Sequence, residues 1–410
     1  MKKNILIKNS FNNKFENQTL KKKLFLRFNL LKKEILKKSK YEKNFFNIFD
    51  KNFKLNFTSV ELKKFKKFQT VVIIGMGGST LGSQAIYQSL GGKIRKKFYF
   101  FDNLDDEKIK TFNKTLIFSK TLFIIVSKSG NTIETISNFL SLKIIKKYRN
   151  NLIIISEKKN NFLYLLARKQ NIFFIEHKTF IGGRYSVFSE VSLVPAYLMG
   201  LKISSLRKNL KKYLIKAECK ILRKNSIKLS SILLEKNINS LIFLNYSTKL
   251  NKLLQWCQQL IGESLGKKSK GLLPVLSNVP KDHHSLLQLY LDGPRDKIFY
   301  IISLNESSKN KVHTKKYTNK LNFINNKTIS DIKKAQKAAL KKVLIKKGIP
   351  FVEFVINKVN EETIGEFFSY FMLETIFSGF LAGINPFNQD AVEEVKILTE
   401  KELTKQRFQK

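Results

Sequence analysis

Thr121-Leu-Phe-Ile-Ile-Val126 runs straight into Ser127-Lys-Ser-Gly-Asn-Thr132, and then into a segment with apolar residues at Ile133, Ile136, Phe139, Leu140 and Leu142. The first run is short, wholly apolar and β-rich, and the last has helical spacing. The order is therefore strand, polar hinge, amphipathic helix. The start of a helix leaves backbone N–H groups unpaired and carries partial positive charge. Three hydroxyls, a glycine and a lysine at that point make a cradle for an anion, phosphate above all. Ser and Thr also cap ordinary helices, so the hexapeptide alone leaves both readings open.

The same order recurs upstream. Val71-Val-Ile-Ile74 predicts a buried strand ending in Gly75-Met-Gly-Gly-Ser-Thr-Leu-Gly82, with a helix over 85–90. Further strands are expected at Lys97–Phe101, Leu152–Ile155 and Ile172–Ile175, separated by helical segments. Strands alternating with helices predict a parallel, doubly wound sheet. Ligands bind such sheets at the carboxyl ends of the strands, where both hinges fall. A second alternating unit follows, with strands at Ser240–Leu244, Leu272–Leu276, Ile298–Leu304 and Phe351–Ile356. Its helices are expected over 205–235, 249–262, 281–291, 330–347 and 362–378, and 306–328 reads as a polar loop.

The fold class is therefore α/β, with two doubly wound parallel-sheet domains at 67–202 and 203–382. Residues 1–66, with spaced apolar positions such as Leu24, Phe25, Leu30, Leu31 and Ile35, read as an N-terminal helical segment. Residues 383–410 read as a C-terminal helical arm.

The first hinge imitates a dinucleotide fingerprint and fails it. After Gly75 and Gly77 the third glycine belongs at position 80, which is Thr80, and Gly82 comes two residues late. No Gly-Lys-Ser/Thr follows at phosphate-loop spacing either. The net charge of +46 invites a nucleic-acid reading. Only nine of the 77 basic residues are Arg, the residue suited to bidentate contacts, and the lysines are spread along the whole chain. The charge reads as a composition bias on solvated faces, with no specific nucleic-acid partner. No apolar run reaches the ~18 residues of a membrane span. Cys219 and Cys257 form neither a disulfide framework nor a metal spacing. A cytoplasmic protein with no membrane partner is expected.

Four more stretches join the two hinges: Gly182-Gly-Arg-Tyr-Ser-Val-Phe188, Gly262-Glu-Ser-Leu-Gly-Lys267, Asp282-His-His-Ser-Leu286, and Gly383-Ile-Asn-Pro-Phe-Asn-Gln389 with Val392 and Lys396. Six motifs in this order, from about residue 70 to 400, closely resemble the glucose-6-phosphate isomerase family. The resemblance implies two sugar-isomerase (SIS) domains and reversible isomerisation of glucose 6-phosphate and fructose 6-phosphate through an enediol(ate). It implies a phosphate loop of Ser127, Lys128, Ser129 and Thr132, and a substrate-contacting glycine turn at Gly78 and Ser79. It further implies Arg184 beside the reacting carbons, Glu263 as base and His284 in ring opening, with Gln389 and Lys396 completing the site. The family is dimeric, and its ring-opening histidine reaches into the partner's site, so a homodimer with shared sites is expected.

The chemistry suits these residue types. Moving a proton between adjacent carbons is general-base work that one carboxylate can do, with no redox cofactor and no metal. A fixed arginine stabilises an enediolate. An imidazole, titrating near neutrality, can open a sugar ring. The loop reads Ser-Lys-Ser-Gly-Asn-Thr where family members often have Ser-Lys-Thr-Phe-Thr-Thr. Loops of this kind occur in isomerases that also take mannose 6-phosphate, so a bifunctional phosphoglucose/phosphomannose isomerase is the enzyme alternative. A sugar-phosphate-sensing regulator is the non-enzyme alternative, but 1–66 shows no clear helix-turn-helix and a sensor has no need of Glu263.

Overall fold

A computed structural model describes residues 3–10, 18–315 and 317–405. The strands are β1 (Ile5–Ser10), β2 (Thr70–Ile74), β3 (Lys97–Phe101), β4 (Thr121–Val126), β5 (Leu152–Ser156) and β6 (Phe173–Glu176), then β7 (Ser240–Asn245), β8 (Leu273–Asn278), β9 (Lys297–Leu304) and β10 (Phe351–Ile356). They form two five-stranded sheets, β3-β2-β4-β5-β6 and β1-β10-β9-β7-β8. Every pairing is parallel except β1 with β10. All residues of β4 and β5 are buried, as expected of parallel strands covered on both faces. The α/β class and the two parallel sheets agree with the expectation from sequence.

In the first sheet the strand order reverses between β2 and β4, and in the second between β7 and β9. Such a reversal opens a crevice at the carboxyl ends of the diverging strands. The glycine turn leaves β2 and the hydroxyl-rich hinge leaves β4, so the two hinges face each other across the first crevice. The glycine turn packs against the end of β4, because a Cβ on Gly75 would lie 2.7 Å from the carbonyl oxygen of Val126.

The N-terminal segment departs from expectation. Its helix Gln18–Lys38 is present, but Ile5–Ser10 is an antiparallel edge strand on β10, with Ile5 opposite Ile356 and Ser10 opposite Phe351. Ile-Leu-Ile-Lys-Asn-Ser is too short to show a helical period, and the exposed edge of β10 offers its backbone partners. The expected helix over 205–235 is broken into Ile203–Arg207, Lys212–Ile215 and Cys219–Glu235. Around the first break, tertiary contacts engage the backbone. Ser369 Oγ donates to the Leu210 carbonyl at 2.6 Å, and Gly365 packs so closely on the Leu206 carbonyl that a Cβ would lie 1.9 Å from its oxygen. The segment expected as one helix over 281–291 is a single turn, Lys281–His284, followed by Leu287–Asp292.

Gly365 and Ser369 belong to the helix Glu361–Leu381, which is buried along nearly its whole length. Its sequence is apolar on all sides, as a helix through the middle of a core must be. Two of its carboxylates are buried. Glu366 accepts from Lys212 at 2.7 Å and Tyr213 at 3.0 Å. Glu374 accepts from Tyr370 at 2.6 Å, and burial pushes its carboxyl up to about 7.

A carboxyl whose folded pKa is raised binds its proton more tightly in the folded chain than in the unfolded one. Its contribution is complete below the ordinary value of 4.5 and is lost as pH rises through about 7. Glu374→Gln keeps an acceptor for Tyr370 and removes the titration. The variant should be more stable than the parent at pH 8, by up to roughly 3 kcal/mol, with the gap closing toward pH 5. Denaturant unfolding of both proteins at each pH measures this.

Candidate active site

Arg184 lies in the turn Gly183–Phe188, with its side chain 1% exposed. Burying a guanidinium is tolerable only when its donors are satisfied. Here Nε donates to Ser264 Oγ at 2.8 Å, and Nη1 donates to Gln389 Oε1 at 2.7 Å and Glu263 Oε2 at 3.1 Å. Nη2 donates to the carbonyls of Pro386 at 2.7 Å and Asn388 at 3.0 Å. Trp256 Nε1 donates to the Arg184 carbonyl at 3.0 Å. Tyr185 bridges the same two elements, with its hydroxyl 2.9 Å from Ser264 Oγ and donating to the Pro386 carbonyl at 3.2 Å. Burial pushes the Tyr185 hydroxyl up to about 12, so it keeps its proton.

Glu263 projects from the helix Asn251–Leu265. Its other oxygen accepts from Gln259 Nε2 at 2.8 Å. Residues four apart share a helix face, so Gln259 holds the carboxylate from below while Arg184 holds it from the side. Gln259 also covers the glycine turn, since a Cβ on Gly77 would lie 2.7 Å from its Nε2. Its Oε1 is buried without a partner among the described residues. Motif reading passes over Gln259, and its spacing from Glu263 is the signal that could have found it.

Gly78 faces Gly183 and Arg184 with no room to spare. A Cβ there would lie 2.3 Å from the Gly183 carbonyl and 2.6 Å from the Arg184 nitrogen. Ser186 Oγ ties the two segments by donating to the Gly78 carbonyl at 3.1 Å. Ser79 ends the same helical turn, Gly77–Ser79. The glycine turn, Arg184, Glu263 and Gln389 therefore meet in one cleft.

The hydroxyl-rich loop sits at the start of the helix Ile133–Ser141. Ser127 Oγ lies 2.8 Å from Thr132 Oγ1, and Ser129 Oγ lies 3.5 Å from each. Thr132 occupies the cap position without capping the helix through its side chain. The hydroxyls thus converge above the helix's first backbone N–H groups, the arrangement that suits an anion. Gly130 has φ +71°, and a Cβ would collide with Asn161 at 1.9 Å. Asn131 Oδ1 accepts from the Phe162 nitrogen at 2.9 Å, which fastens the loop to the helix Phe162–Lys169. Lys128 differs from expectation. Its ammonium donates to the Thr179 carbonyl at 2.8 Å and pairs with Glu157 at 3.7 Å. Burial lowers its pKa, with Glu157 opposing. Its hydrogen bond and ion pair go to these two residues and not to the three hydroxyls.

Two of the residues implied by the resemblance are not brought to this cleft. His284 is exposed in the turn after β8, and its imidazole has no hydrogen-bond partner among the described residues. Neighbouring His283 packs edgewise on Tyr246 at 6.1 Å. Lys396 lies on the helix Ala391–Lys405, which buries none of its residues, and pairs with Glu393 at 2.6 Å. Among the described residues no group of three or more His, Cys, Asp or Glu could hold a metal, and no helix is long and apolar enough to cross a membrane.

Two sheets with crevices at their strand ends, a hydroxyl-lined loop at a helix start and a carboxylate beside a buried guanidinium belong to an α/β chain whose family match is to aldose–ketose isomerases. A family model described as phosphoglucose isomerase matches residues 48–409, and the chain belongs to that family. A glucose-6-phosphate isomerase of Methanocaldococcus jannaschii is 33% identical over 350 residues, covering 82% of this chain and 84% of that protein. One of Carboxydothermus hydrogenoformans is 30% identical, covering 82% and 78%. A crystal structure of a hypothetical protein from Thermus thermophilus superposes with a TM-score of 0.79 at 25% identity, covering 97% of this chain and 100% of that one. A glucose-6-phosphate isomerase structure from Chlamydia trachomatis shares the fold, with a TM-score of 0.69 at 19% identity over 85% and 72% of the two chains.

Gly78→Ala should drive the glycine turn away from the backbone of Arg184. Overpacking of this kind typically costs about 1–3 kcal/mol, and here the strain falls on the cleft. Substrate turnover should fall by more than tenfold while the circular dichroism spectrum stays that of the folded chain.

Proposed function

We propose that this protein interconverts glucose 6-phosphate and fructose 6-phosphate, with Glu263 as the base that moves the proton. The observation carrying this reading is the Glu263 carboxylate, one-third exposed into the cleft and held by Gln259 at 2.8 Å and Arg184 at 3.1 Å. Fixed at both oxygens, it is aimed at one place without being sealed from a ligand.

The hydroxyls of Ser127, Ser129 and Thr132 hold the phosphate, and the sugar lies across the sheet crevice along the glycine turn that ends at Ser79. On the open-chain aldose, Glu263 takes the C2 proton as electrons move to the C1 carbonyl oxygen. The enediolate that results lies beside Arg184, whose fixed charge opposes its developing negative charge. The same carboxyl returns its proton to C1, and the O2 proton passes to O1, giving the ketose. His284 opens the ring from a second subunit, which accounts for its exposed position. Lys396 joins the site when the arm after Gln389 folds over it. The homodimer with shared sites and the cytoplasmic location belong to this same reading.

Glu263→Gln preserves shape and hydrogen bonding but removes the base. In an assay coupled to glucose-6-phosphate oxidation, kcat on fructose 6-phosphate should drop by at least ~10²-fold with KM little changed. Near-normal turnover would remove Glu263 from the mechanism.

Shared sites make a second outcome testable. Glu263→Gln and His284→Ala, each inactive alone, should complement when unfolded together and refolded. Half the dimers are then mixed, and each of these has one intact site of two, so about a quarter of parental activity should return. Mixing confirmed by a mass tag without recovered activity would place both residues in one subunit's site.

A further inference from the structure

Immediately after the helix that bears Glu263 the chain makes a tight turn at 267–270. Lys267 and Lys270 exchange backbone hydrogen bonds at 3.0 Å in each direction, and Lys268 and Ser269 both have φ +54°. The turn presents two ammonium groups to one stretch of chain. Lys270 Nζ donates to the Ala382 carbonyl at 3.0 Å and Lys267 Nζ to the Asn385 carbonyl at 2.7 Å. Ala382 closes the helix Glu361–Leu381, so its carbonyl is among those a helix end leaves unpaired, where cations are favoured. From the other side Arg184 donates to the Pro386 and Asn388 carbonyls and to the Gln389 side chain. The strap 382–389 is thus gripped between three cations, two from the turn and one from the cleft.

We propose that Lys267 is a positioning residue for the isomerase, a latch whose ammonium fixes the strap so that Gln389 is seated on Arg184. This deepens the proposed function and rests on it. The strap leads directly from the closed end of a buried helix to Gln389 and then to the arm bearing Lys396. Releasing Asn385 frees the stretch whose register sets both. The charged groups acting on Lys267 are Arg184 from the cleft turn, Glu263 from the preceding helix and Asp390 from the start of the arm. Burial and Arg184 lower its pKa to about 8, against the pull of Asp390 and Glu263. As pH rises through that value the hydrogen bond to Asn385 loses its charge assistance. A latch of this kind therefore weakens on the alkaline side of neutrality.

The test is the pH dependence of kcat and KM from pH 6 to 9.5 for the parent, Lys267→Met and Lys267→Arg, with thermal stability measured at each pH. The parent should lose kcat with an apparent pKa near 8. Lys267→Met should lower kcat roughly tenfold at neutral pH and lack that alkaline limb. Lys267→Arg, which stays protonated, should recover most of the lost turnover and move the limb up by at least one pH unit. A limb unchanged in Lys267→Arg, or parental kcat in Lys267→Met, would overturn the latch. The Arg variant decides the question even if the Met variant fails to fold. A parent with no isomerase activity would instead remove the functional reading itself.

Discussion

A guanidinium taken out of water loses several kcal/mol of hydration, and partners with good geometry must replace it. Arg184 is placed where no single element could supply those partners. Ser264 and Glu263 come from one helix, and Pro386, Asn388 and Gln389 come from the strap. Its own turn lies against Gly78 in the turn that follows β2. The residue suited to stabilising an enediolate is also the one that makes three remote stretches of sequence agree on a common position. Planar, five-donor geometry is required for that task, which lysine could not perform. In a chain with so few arginines, one spent on a buried node is under tight geometric constraint.

Two glycines are fixed by what lies against them, one at the Arg184 turn and one in the hydroxyl-rich loop. Gly78 has no side chain because the Arg184 backbone occupies the space one would need. Gly130 adopts a left-handed conformation, and Asn161 fills the volume a side chain there would take. The loop is consequently shaped before any ligand arrives, and the anion proposed for it would meet three hydroxyls already gathered, with no further cost in entropy.

Much of this was legible in the sequence where local chemistry and chain order carry the information. The strand–hinge–helix pattern at 121–142 and at 71–90 located both loops, and alternation of elements gave the two parallel sheets. What escaped was set by distant contacts. Ile5–Ser10 became a strand because β10, near the other end of the chain, had a free edge. The helix over 205–235 is first interrupted where Ser369 donates to the Leu210 carbonyl and Gly365 packs on that of Leu206. Gln259 was within reach through its four-residue spacing from Glu263 but is chemically quiet on its own. His284 and Lys396 were marked only by resemblance. Helical spacing tells which face a residue occupies and says nothing of where that face docks.

The edge strand β1 has a bearing on how the second sheet is completed. Ile5 pairs with Ile356, a closure spanning 351 positions (356 − 5). During synthesis, residues 5–10 emerge long before the strand that will receive them. Until they dock, β10 presents an open row of backbone donors and acceptors, the feature by which sheets join neighbouring molecules. Closing so long a span is entropically slow compared with local pairing. The short strand at one extreme of the chain therefore acts as a seal on the other, and assembly of the second sheet is exposed to misassociation until that seal is in place.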